Sequence, residues 1–76
     1  MTVGDLIEHI GKYEFIEISG DTLSESPTYA GRLCHFHEEP DYKIICTMPV
    51  IMVGLAEDED RNGYGILIYY DDRGLN

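Results

Sequence analysis

Three groupings in this chain have residue types and spacings that suit chemistry. Asp58-Glu59-Asp60-Arg61-Asn62-Gly63 sets oxygens at alternate positions ahead of a glycine, which is how a D-x-D-x-N-G calcium loop begins. The twelfth position of such a loop should carry a bidentate glutamate, and here it is Tyr69. The flanking residues also have strand composition rather than helical composition. His35 and His37 form an H-x-H pair, which on a strand would place both imidazoles on one face, a spacing used in metal sites. A third ligand is missing, because His9 is the one other histidine and Cys34 would face away from the pair. Cys34, Cys46 and the serines are the candidate nucleophiles. None has a G-x-S-x-G turn or a base at a telling spacing, and there is no phosphate-binding loop. No catalytic residue, metal or cofactor is therefore expected, and the chain is not expected to be an enzyme.

The unusual property is charge. Fifteen acids against five bases give a net charge of -10 and a pI near 4.3. A field of that sign repels nucleic acid and anionic lipid, so a macromolecular partner should be a basic protein, with no direct nucleic-acid or membrane contact. Glu57, Asp58, Glu59 and Asp60 are four consecutive acids and the first candidate surface. Tyr69, Tyr70, Asp71 and Asp72 are the second, since tyrosine beside a carboxylate is a composition that binds well to basic surfaces. Glu38, Glu39 and Asp41 form the third. The plain alternative for the first is a solvated hairpin turn, with Asn62-Gly63 supplying the left-handed backbone positions. Two cysteines and no apolar signal segment fit a reducing cytoplasm with free thiols, and Cys34 and Cys46 are expected to be neighbours across a hairpin.

At 76 residues the chain reads as one small domain, 1–76, with a small core. Val3, Leu6, Ile7 and Ile10 recur at i, i+3, i+4 and i+7 and predict an amphipathic helix from Thr2 to Gly11, with Thr2 and Asp5 as a capping box. Residues 13–19 have strand character. The segments 28–37 and 42–48 read as two strands about the turn Glu38-Glu39-Pro40-Asp41. Pro49 cannot donate to a ladder, so it marks an edge, bulge or break before Val50 to Leu55. Tyr64 to Tyr70 is apolar on both faces, as a central strand would be. The expected fold is α+β: one N-terminal helix packed on an antiparallel sheet of four or five strands.

The opening Met1-Thr2-Val3-Gly4-Asp5-Leu6-Ile7-Glu8-His9-Ile10, followed by Tyr13-Glu14-Phe15-Ile16-Glu17-Ile18, resembles the start of many small proteins of phages and mobile elements of Gram-positive bacteria. Several short acidic anti-CRISPR proteins begin with a comparable helix and strand. The resemblance covers about the first quarter of the chain. It implies a non-enzymatic inhibitor in the host bacterial cytoplasm that occupies the DNA-binding surface of a CRISPR effector. Carboxylates standing in for phosphates, a form of DNA mimicry, would reach the same end by charge alone. The alternative is a module that homodimerises or docks through a sheet edge, its charge serving only solubility.

Overall fold

In the computed structural model, residues 1–21, 28–58 and 63–73 are described. The fold is α+β, with three short helices and a four-stranded mixed sheet among the described residues. The chain runs α1 (Val3–Ile7), β1 (Phe15–Gly20), β2 (Tyr29–Arg32), α2 (Leu33–Phe36), α3 (Tyr42–Ile45), β3 (Val50–Asp58) and β4 (Gly63–Tyr70). The strand order is β2-β1-β4-β3. Two antiparallel pairs, β1 with β2 and β3 with β4, meet along a parallel seam between β1 and β4.

The expected sheet was wholly antiparallel, and the central pairing corrects it. Ile16, Ile18 and Gly20 of β1 stand beside Ile66, Ile68 and Tyr70 of β4, both strands running the same way. Parallel neighbours need a long crossover, and residues 29–58, with two helices among them, lie between these strands. Ile16, Ile18 and Ile68 are fully buried, which makes the seam the centre of the core.

The expectation of a single helix is also overturned. α1 begins where the spacing predicted, with both halves of the capping box formed. Thr2 Oγ1 accepts from the Asp5 N–H at 3.2 Å, and the Asp5 carboxylate accepts from the Thr2 N–H at 3.1 Å. Regular helix stops at Ile7, and the His9 and Ile10 N–H groups then bond to the Leu6 and Ile7 carbonyls, the tighter i−3 pattern of a fraying end. α1 is pinned at its start by the Val3 and Gly4 N–H groups, which donate to the Met48 and Cys46 carbonyls. A side chain at Gly4 would meet the Cys46 carbonyl oxygen at 3.0 Å, so this glycine permits the close approach.

The predicted hairpin over 28–48 is replaced by one short strand and two helical turns. Leu33 and Phe36 are three apart, and Tyr42, Ile45 and Cys46 fall at i, i+3 and i+4, so both stretches carry helical spacing inside what looked like alternation. Phe36 and Ile45 are fully buried by that winding, joining Val3, Ile16, Ile18, Ile68 and Tyr70 in one core. Rings reinforce it: Phe36 lies 5.2 Å from Tyr29 and 5.1 Å edge-on from Tyr42, the separations favoured by aromatic pairs.

Pro49 does mark a break. It makes an isolated bridge to Thr2, and the ladder between β3 and β4 shifts register between Val50 and Met52. β4 is central, as its composition required, with Ile68 and Tyr70 turned to the core. The opposite sheet face carries Phe15, Leu67, Tyr69 and Met52, by the register of their partners. The buried cluster lies entirely on the helix-bearing side.

Candidate functional site: the acidic hairpin and the segments around it

The hairpin end is built by sustained pairing. β3 and β4 stay in register through Ala56 with Gly65, Glu57 with Tyr64 and Asp58 with Gly63. Phe15 lies over this end of the sheet. A Cβ at Gly65 would strike the Phe15 carbonyl and come within 2.7 Å of its ring, so a glycine is required there. Glu57 is exposed, and its cross-strand partner Tyr64 is 70% exposed, which gives a carboxylate and a phenol side by side on one face. Glu59 and Asp60, and the side chain of Asp58, lie outside the described residues, as does most of the loop that suggested calcium.

The second candidate group sits at the opposite end of β4, seven residues and roughly 23 Å from Gly63 at the strand rise. It is not a free acidic surface. Tyr70 is 1% exposed and its hydroxyl shares a 3.0 Å hydrogen bond with Thr28 Oγ1, while Asp72 is also 1% exposed, against Gly20. Neither side chain is available to a partner. Tyr69 is half-buried on the sheet face away from the core. Asp71 is held by Arg73, whose Nε and Nη2 donate to its two oxygens at 2.9 and 3.1 Å. That fork, with the Arg73 backbone N–H, holds the Asp71 carboxyl below its ordinary range. Asp21 belongs here too, since its N–H donates to the Tyr70 carbonyl, and its charge and that of Asp72 add to the raising of the Arg73 guanidinium that the hydrogen bond and charge of Asp71 chiefly cause. Sequence order separates Asp21 from Asp71 by 50 positions, which is why reading along the chain missed it.

Glu38, Glu39 and Asp41 occupy the turn between α2 and α3. Glu38 is engaged, its Oε2 lying 2.9 Å from Nδ1 of His35. Glu39 is half-buried and Asp41 exposed. The three acidic groups thus stand in three separate places in the fold.

The histidine pair loses its geometry with its strand. On α2 and the turn after it, residues two apart diverge by about 200° around the helix axis. His37 lines an open groove between α1 and the later helices, and His35 reaches Glu38. No three potential metal ligands come together among the described residues.

That groove has a volume of about 600 Å³, and Asp5, Glu8, Lys12, Cys34, Tyr42 and Cys46 are among its walls. Cys34 and Cys46 therefore do share a surface, but from α2 and from the C-terminal cap of α3 rather than across a hairpin, and both are free thiols. Burial pushes the Cys46 thiol up, opposed by a hydrogen bond with Tyr42. Tyr42 is raised in turn by the neighbouring Cys46 and by burial.

The residues that sequence reasoning did not single out are apolar. Ile51, Met52, Val53 and Leu55 of β3 are 48%, 47%, 50% and 76% exposed. The run Val50 to Leu55 was legible as a strand, but strand composition does not say whether a neighbour lies beside it. Among the described residues no helix is long and apolar enough to cross a membrane. Set against protein-family models, curated proteins and solved structures, the chain has no match.

Proposed function

We propose that the protein is a non-enzymatic acidic inhibitor of the anti-CRISPR kind, which presents carboxylates to a lysine- and arginine-lined nucleic-acid channel of a CRISPR effector. The observation that supports this most directly is the end of the β3–β4 hairpin. There exposed Glu57 stands beside exposed Tyr64, and the acidic run continues from Glu57. An acid and an aromatic ring on one face offer a basic groove both a charge partner and a surface for arginine stacking. The excess of acids also limits internal neutralisation. Among the described residues, Arg32 donates to the Tyr13 carbonyl, Lys12 lies over the Tyr13 ring and Arg73 binds Asp71, so of these cations only Arg73 is paired with a carboxylate by these contacts. Tyr70 and Asp72 drop out of the surface, leaving Glu57 to Asp60 as the principal determinant, with Tyr64 added.

The test is competition with DNA. Added to a panel of purified, guide-loaded CRISPR effectors, the protein should reduce DNA binding by a susceptible member at low salt, and the effect should fade as salt screens the carboxylates. Replacing Glu57, Asp58, Glu59 and Asp60 together with Ser or Asn should remove most of that competition. If every effector binds DNA unhindered at low salt, the reading is wrong.

A further inference from the structure

We infer that β3 is a self-association edge, and that two copies of the chain pair antiparallel along it to form one continuous eight-stranded sheet. The first observation is topological. β3 ends the strand order, and the N-terminal segment covers only its beginning, where the Val50 N–H donates to the Met1 carbonyl and Thr2 bridges Pro49. From Met52 to Asp58 no described strand lies against the outer side. A row of backbone donors and acceptors there is completed by another strand, and by little else as well.

The second observation is the side chains. Edge strands of soluble proteins are normally blunted by lysine, proline, an inward charge or a bulge; Pro49 and the register shift between Val50 and Met52 blunt only the start of β3, and residues 53–56 carry none of these. Val53 and Leu55 share the core-side face, through their partners Ile68 and Ile66, yet are 50% and 76% exposed. Met52 lies on the other face at 47%. Apolar groups thus flank the open edge on both faces, which is what a strand added in the plane of the sheet would cover.

The third observation selects a second copy and its direction. The only charges on β3 are Glu57 and Asp58, both at one end. With the twofold axis at Gly54, Val53 of each copy faces Leu55 of the other and Met52 faces Ala56, an apolar match over 52–56 that keeps each side chain on its own face; the pairing ends there, since the next positions set Ile51 beside Glu57 and Val50 is already bonded to Met1. The two Glu57 residues then stand six positions apart, about 20 Å at ~3.4 Å per residue, more than twice the ~8 Å screening length at physiological ionic strength. Parallel pairing would set Glu57 against Glu57. The strand is therefore complementary to itself in the antiparallel sense alone, and the absence of a side chain at Gly54 leaves the axis uncrowded.

Sedimentation velocity across a concentration series tests this independently of the inhibitor reading. The expected mass at high concentration is twice the 8.6 kDa of one chain, and the dimer should tighten with added salt as repulsion between two chains of net charge -10 is screened. Binding to a basic partner has the opposite salt dependence. Leu55→Lys should raise the dimer dissociation constant at least about tenfold while leaving circular dichroism and melting of the monomer unchanged, because Leu55 lies outside the core. Its added charge reduces net repulsion, so weakening cannot be assigned to overall charge. Tyr13→Lys makes the same change at a 67% exposed ring away from the edge and should leave the mass at two chains. A monomer at every concentration overturns the inference. So does a dimer undiminished by Leu55→Lys, or growth beyond two chains.

Discussion

Asp5 ties the first turn together in both directions, and its carboxyl sits below the ordinary value of 3.8, first through the Thr2 backbone N–H and then through the Thr2 side chain. A carboxyl depressed on folding contributes its full stability above that value and loses it as the pH falls through the lower folded one. Asp5→Asn should therefore flatten the acid limb of a stability curve below about pH 4, read by urea melts at stepped pH. Thr2→Ala, which removes the acceptor of the Asp5 N–H, should cost about 1 kcal/mol in the same measurement at neutral pH. The groove makes a different prediction. Burial raises the Cys46 thiol, so less thiolate is present at mildly alkaline pH, and alkylation followed by mass spectrometry should show Cys46 reacting slowly until denaturant is added. Equal rates in native and denatured protein would contradict that burial.

At the scale of elements, the β1–β4 seam decides stability. Ile68→Ala deletes buried methyl groups from a strand flanked on both sides and should cost about 2–5 kcal/mol, a large share of what so small a domain has. Chemical denaturation would measure it. Elements whose signals are local were legible before the structure: the capping box at Thr2 and Asp5, the break at Pro49, and the apolar richness of β4. The stretch from Leu33 to Ile45 was not, because four-residue helical turns are too short for a period of 3.6 to stand apart from alternation. The parallel seam was invisible for a deeper reason, since no residue pattern within β1 or β4 encodes which distant strand lies beside it. At the candidate site, the exposed Glu57 end was legible from charge. The burial of Tyr70 and Asp72 was not, because an aromatic ring next to two acids reads as surface until the fold places Gly20 and Thr28 against them.

Taken whole, the molecule is elongated, 36 × 24 × 21 Å, and carries its charge of -10 over a core of few fully buried side chains. Self-repulsion of that size opposes the compact state. The melting temperature should rise from low to moderate salt in scanning calorimetry, and the quadruple replacement of Glu57 to Asp60 should raise it at low salt while narrowing the difference. A salt-independent melting temperature would mean that the acids are spaced too widely to oppose folding.

The parallel seam also bears on how the chain finds its shape. Ile16 and Ile66 are partners across 50 positions, whereas Phe15 pairs with Arg32 and Asp58 with Gly63 at far shorter range. Loop-closure entropy favours the two antiparallel pairs first, leaving their docking along the seam as the slow, barrier-crossing event. Stopped-flow refolding should accordingly slow with Ile18→Val or Ile68→Val, whose contacts form in that event. Substitutions at Leu55 should leave the refolding rate of the monomer unmoved.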